Sequence, residues 1–184
     1  MTSLASPMSC NLVCHPQSPS RCIGAIDVLV ENAASGILAL TFVLQGDLAG
    51  LRIPAARPNR RMDELWLHTC FEAFVMAGDG PGYREYNFSP SGEWAAYAFR
   101  DYRQAEASVH ASAPVIRVHQ TAQRLALEAE VSFELLPSYR SIRLGLSAVV
   151  EAIDGGLSYW ALQHRPGKPD FHHADAFALQ LDLS

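Results

Sequence analysis

The sequence has no Gly-x-Ser-x-Gly elbow, no phosphate-cradling glycine loop, no His-Glu-x-x-His pair and no dinucleotide fingerprint. The hydrolase, nucleotide-dependent and zinc-protease chemistries that announce themselves locally therefore have no signature here. Blocks of like charge are also missing. Fourteen Lys+Arg against 19 Asp+Glu leave a net charge of −5 spread through the chain, which argues against a phosphate-binding surface and against nucleic acid as a partner. No window approaches the roughly 18 apolar residues of a membrane helix. The stretch Met1 to His15 lacks the positive start and apolar run of a secretory signal. A soluble, cytoplasmic protein with no membrane partner is expected.

Cysteine is sparse. Cys10, Cys14, Cys22 and Cys70 are expected as free thiols, because a reducing compartment disfavours lasting disulfides. Cys10, Cys14 and the adjacent His15 have a zinc-like look, but no second ligand pair follows at a familiar distance, so no metal is expected there.

What the sequence does have is alternation. Hydrophobic residues make up 49% of the 184 positions and no polar linker divides them, which suits one domain over 1–184 with a large core. Period-two patterns recur, as half-buried strands require. Ile26, Val28 and Val30, then Leu38, Leu40, Phe42 and Leu44, predict a hairpin turning at Asn32 to Gly36. Pro54, Pro58, Arg60 and Arg61 make Gly46 to Met62 a long loop. Read as one continuous strand, the segment from Leu65 to Val75 puts Trp66, His68, Cys70 and Glu72 on one face. Tyr83 to Phe88, a Ser89-Pro90-Ser91-Gly92 reversal and Glu93 to Phe99 complete a meander. A second hairpin runs over Val115 to His119 and Leu125 to Val131, followed by a helical turn at Leu135 to Ser138. Leu144 to Val150, Tyr159 to His164 and Phe177 to Leu183 supply the last strands. Short strands without βαβ spacing predict an all-β antiparallel sandwich. A curved sheet of that kind can keep one face open for a ligand.

Trp66 and Glu72 share a face on this reading, and the neighbouring strand offers Glu85 and Asn87 on one of its own. Such a patch suits a sugar, because an indole covers the apolar C–H face of a pyranose while carboxylate and amide groups take its hydroxyls. Trp160 and His164 share parity and would form a second wall. Arg84 could contact the ligand's hydroxyls or a carboxylate. Trp94, at a strand start, is the weakest candidate and is expected to pack over its turn. The segment from Pro169 to Asp175 crowds His172 and His173 with Asp170 and Asp175; neighbouring histidines diverge in extended chain, so a structural loop is expected rather than a metal site. Glu72 and Glu85 could in principle act as a glycosidase pair, but carboxylates that grip hydroxyls look the same, and a binding role without catalysis is the reading adopted.

The segments Asp63 to Phe74, Tyr83 to Trp94, and Ser158 to Leu162 followed by Pro169 to His172 resemble bacterial DOMON-like proteins, which are related to the family 9 carbohydrate-binding modules. The likeness runs in order from about Cys14 to the last strand. It implies a β-sandwich whose pocket takes either a sugar or a b-type haem. For a sugar, the resemblance implies that Trp66 and Trp160 clamp the ligand and Glu72 bonds to it. For a haem, it implies Met62 and His164 as axial ligands. A thioether and an imidazole are a sound axial pair, but Trp66, Glu72 and Glu85 would obstruct the deep apolar pocket a haem needs. A sugar-derived small molecule is therefore the expected ligand and haem b the alternative.

Overall fold

A computed structural model describes residues 7–33, 36–78, 80–132 and 140–182. Twelve strands are found among them: β1 (Met8–Cys14), β2 (Ile23–Ala33), β3 (Ile37–Gly46), β4 (Cys70–Ala77), β5 (Tyr83–Phe88), β6 (Trp94–Asp101), β7 (Gln104–Ala105), β8 (Val115–Gln120), β9 (Arg124–Ser132), β10 (Ser141–Glu151), β11 (Leu157–Ala161) and β12 (Leu179–Asp182). Their named pairings are all antiparallel. The described residues contain short 3₁₀ turns and no α-helix, and no helix long and apolar enough to cross a membrane.

The strands run in the order β7-β6-β5-β4-β10-β11-β1-β2-β3-β9-β8, with β12 added to β10. β1 is the seam. Its Met8 to Leu12 pair with β2, whereas Val13 and Cys14 pair with β11, so one strand serves two sheets that fold against each other. Their inner faces make one core: Val28, Leu40, Phe42 and Leu127 from one sheet meet Phe71, Ala73, Leu146 and Trp160 from the other. Phe42 and Phe71 touch across it with ring centroids 5.1 Å apart. The chain is thus an all-β antiparallel sandwich, built from the period-two alternation that strands impose.

The first hairpin, the meander and the second hairpin are found as paired β2–β3, β4–β5–β6 and β8–β9. Three boundaries differ from the sequence reading. The expected strand from Leu65 begins only at Cys70; Leu65–Leu67 is a 3₁₀ turn entered through Glu64 at φ 62°, a left-handed step that stops extension. The return strand is Leu157–Ala161 and ends before His164. β1 was not anticipated, because its alternating inward residues are Met8, Cys10, Leu12 and Cys14, and two of these look like ligands rather than core. Cys10 and Cys14 pack against the core as small apolar groups. The expected helical turn at Leu135 to Ser138, the reversal at 34–35 and Leu183 lie outside the described residues.

The outer face of the β6-β5-β4-β10-β11 sheet is unusual in being largely covered. Phe74, Met76 and Tyr83 pack there with Phe177, Phe99 and Phe171, so the segment after β11 returns across the sheet. Gly145 permits the closest approach: a Cβ there would lie 3.1 Å from the Ala176 carbonyl and 3.4 Å from Phe74 Cβ. The part of this face that the returning segment leaves uncovered forms the candidate site.

Candidate functional site

A cavity of about 430 Å³ opens on that outer face, within the roughly 300–1,000 Å³ of small-molecule sites. Glu72 of β4, Glu85 of β5 and Val149 of β10 line its interior. Tyr97 and Phe99 of β6 stand on one side, Leu157 and Tyr159 of β11 on the other. Trp66 and Leu67 come from the 3₁₀ turn, and Pro169, Phe171, His172 and Arg103 complete the lining. Register explains the grouping. Glu72 pairs with Asn87 on one side and Ser147 on the other, and Glu85 pairs with Phe74 and Tyr97, so all their side chains leave the sheet on the same face.

The two carboxyls are deeply placed, Glu72 at 2% exposure and Glu85 at 5%. The Ser147 hydroxyl donates to Glu72 Oε2 at 3.1 Å, and Asn87 Nδ2 donates to Glu85 Oε1 at 2.8 Å. Neither carboxyl has an Arg or Lys ion-pair partner among the described residues. Burial holds Glu72 well above the ordinary carboxylate range, and the neighbouring Glu85 charge adds to this. Burial also raises Glu85 to about 7, against the opposing pull of the Asn87 hydrogen bond and the Arg103 charge. The two titrate as a pair. Near neutral pH the site therefore holds at least one proton that exposed carboxyls would have lost.

The returning segment is fixed by polar contacts. Arg103 Nη2 pairs with Asp170 Oδ1 at 2.9 Å and the Tyr102 hydroxyl donates to Asp170 Oδ2 at 2.7 Å. Arg103 itself sits at φ 53°, a conformation that costs a non-glycine residue on the order of 1 kcal/mol and persists only where its surroundings hold it. The Arg103 amide donates to the Tyr83 hydroxyl, which is hydrogen-bonded to His172 Nδ1 at 2.8 Å. The other ring nitrogen, Nε2, lies 3.8 Å from Glu85 Oε2. Burial and then the Arg103 charge lower His172 to about 4, so near neutral pH it faces Glu85 as a neutral imidazole rather than as a counter-ion.

Of the residues singled out in the sequence, Trp66, Glu72 and Glu85 line this cavity, and Asn87 lies behind Glu85 as its hydrogen-bond donor. Trp66 does so from a 3₁₀ turn rather than a strand, 38% exposed, with its ring edge-on to Tyr97 at 5.7 Å. Arg84 does not join them; it alternates onto the other face, the one that Tyr86 shares. Nor does Trp160, whose register with Ala148 turns it into the sandwich core at 5% exposure, its indole N–H on Ser158 Oγ. Its chain neighbour Tyr159 faces the cavity instead. His164 lies past the end of β11, with Nε2 2.8 Å from the Val13 carbonyl. Trp94 is a core residue under Arg61, as a packing role requires.

The haem alternative does not fit. Met62 is held through its backbone on Trp94 of β6 and His164 on Val13 of β1. Five strand-to-strand steps separate β6 from β1, about 24 Å at roughly 4.8 Å per step, so the two side chains cannot ligate one iron. In the Pro169 to Asp175 loop the two histidines diverge: His172 enters the cavity while His173 Nδ1 accepts the Asp175 amide.

Tyr97, Phe99, Tyr159, Phe171, His172 and Arg103 were not expected as site residues. Tyr97 and Phe99 continue the parity of Glu85 across the β5–β6 turn, and that signal was present. Phe171, His172 and Arg103 belong to non-periodic segments; the Pro169 to Asp175 segment stood out only as a His/Asp cluster read as a structural loop, and nothing marked Arg103.

The sandwich is shared with a putative carbohydrate-binding protein from Bacteroides uniformis. The two structures align with a TM-score of 0.62 over 96% of this chain and 85% of that one, at 10% sequence identity. At that identity the likeness is one of fold. No protein-family model matches the chain, and no curated protein matches it at a significant level.

Proposed function

We propose that this chain is a non-catalytic binding module for a carbohydrate or sugar-derived ligand, held in the Trp66–Glu72–Glu85 cavity, and that it is a DOMON-like relative of the family 9 carbohydrate-binding modules its sequence resembles. The observation that carries the reading is the combination of aromatic sides with a polar, deeply set interior. Trp66, Tyr97, Tyr159 and Phe171 line the cavity around two buried carboxyls. A pyranose has the matching division, with C–H groups on its faces and hydroxyls around its edge. The fold likeness to a protein described as carbohydrate-binding supports the same reading. The second wall, assigned to Trp160 and His164 from sequence, passes in this reading to Tyr159 and Phe171.

Calorimetric titration of a panel of mono- and disaccharides tests this. At least one is expected to bind and to be recovered chemically unchanged. Trp66→Ala should weaken it about tenfold or more, the order of 1.4 kcal/mol that loss of an aromatic stacking face implies. Absence of any saccharide binding, or full affinity in Trp66→Ala, would overturn the proposal.

A further inference from the structure

We infer that the ligand of this cavity is a cationic sugar, one bearing a free amine whose ammonium lies against Glu72 and Glu85; this deepens the carbohydrate reading and rests on it. The inference starts from a charge imbalance. Glu72 and Glu85 both face the cavity almost fully buried. Their protein partners are a hydroxyl, an amide and a neutral imidazole. The one guanidinium lining the cavity, Arg103, is already bonded to Asp170 at 2.9 Å.

Neutral hydroxyls do not require this arrangement. A single buried carboxylate, or the amide of Asn87 alone, would bond them at lower desolvation cost. Two carboxyls side by side, with the one nearby guanidinium already paired to Asp170, repel when ionised. The same arrangement favours a cation. An ammonium gains from both carboxylates, and is worth most where water is excluded.

The titratable groups on the three strands that carry and flank the pair agree with this. From β4, Cys70 is a buried thiol bonded to Asn87 Oδ1. From β5, Tyr83 is bonded to His172, and from β6, Tyr97 donates its hydroxyl to Asp63 at 2.9 Å. None of them supplies a positive charge; Arg103, from the turn after β6, does, but it is held by Asp170 and lowers Glu85 only in part. Entry of an ammonium would ionise the carboxyls and release the proton they hold, so binding should strengthen as pH rises from 5.5 to 7.

The test titrates the intact protein with D-glucosamine, N-acetyl-D-glucosamine, D-glucose and tetramethylammonium chloride at pH 5.5 and 7.0. The expected result is at least tenfold tighter binding of glucosamine than of glucose or its N-acetyl derivative at pH 7.0, a preference that shrinks at pH 5.5 and vanishes in Glu72→Gln/Glu85→Gln. The comparison among ligands needs no variant and stands if the double variant fails to fold. Equal or tighter binding of the neutral sugars overturns the amine inference and leaves the carbohydrate reading intact. Binding of tetramethylammonium with no sugar binding overturns the carbohydrate reading and supports the cation site. Binding of none of the four overturns the inference.

Discussion

Trp160→Ala is expected to destabilise the domain by about 3–5 kcal/mol, the usual cost of emptying a buried indole site, whereas Trp66→Ala should change stability by less than about 1 kcal/mol. The two tryptophans are equivalent on sequence grounds and opposite in the fold. Trp160 packs into the inter-sheet core with its N–H bonded to Ser158. Trp66 stands on a 3₁₀ turn at the cavity mouth and touches Tyr97. Urea unfolding of the two variants beside the parent measures both numbers. A Trp160→Ala variant of parental stability that had lost a ligand would restore the two-tryptophan clamp and refute Tyr159 as part of the second wall.

The second large effect is a dependence of stability on pH. Both buried carboxyls have folded-state pKa values above the ordinary range. A group raised on folding binds more protons in the native state than in the unfolded chain, so its contribution is complete below the unfolded value near 4.5 and fades as pH rises through the folded value. For Glu85 that window runs from about 4.5 to about 7, and Glu72 extends the decline further upward. Glu85 alone accounts for a loss of about 3 kcal/mol between pH 5 and 8, and Glu72 adds to it. His172, lowered to about 4, contributes stability that grows with pH up to about 6.5 and offsets the loss there, so the net decline of the ligand-free protein is expected between pH 6.5 and 8. Glu72→Gln/Glu85→Gln, which keeps the shapes and removes the charges, should abolish the decline above pH 6.5 and be more stable than the parent at pH 8. A parent protein whose unfolding midpoint rises between pH 6.5 and 8 would show that the carboxyls are stabilised as anions.

Most of the sandwich was legible because strands write themselves as period two. β3, β5 and the β8–β9 hairpin follow from the spacing of Leu38, Leu40, Phe42 and Leu44, of Tyr83 to Phe88, and of Leu125 to Val131. β1 was obscured because cysteine serves equally as a core residue and a ligand, and its register is decided by partners in two sheets. The site was half legible. Glu72 and Glu85 were found by parity, which is local information. Trp66 was placed at the site by an argument from a continuous strand that the Glu64 turn breaks; its position survives because the turn returns it to the same opening. Trp160 failed for a related reason: parity tells which residues share a face but not which face is the core, and only the pairing of β11 between β1 and β10 decides that. Phe171, His172 and Arg103 reach the cavity through long-range contacts to Tyr83 and Asp170, which no window of sequence contains.

The central claim is that the cavity on the outer face of the β6-β5-β4-β10-β11 sheet is the ligand site. Two-dimensional ¹H–¹⁵N spectra of the assigned protein, recorded while the saccharide selected by calorimetry is added, test it most directly. Shifts are expected on the Trp66 indole N–H and on the backbone amides of Glu72, Glu85, Tyr97, Arg103 and His172, with the Trp160 indole little moved. Shifts clustered elsewhere, for example around His164 and Val13 or along β8, would contradict it.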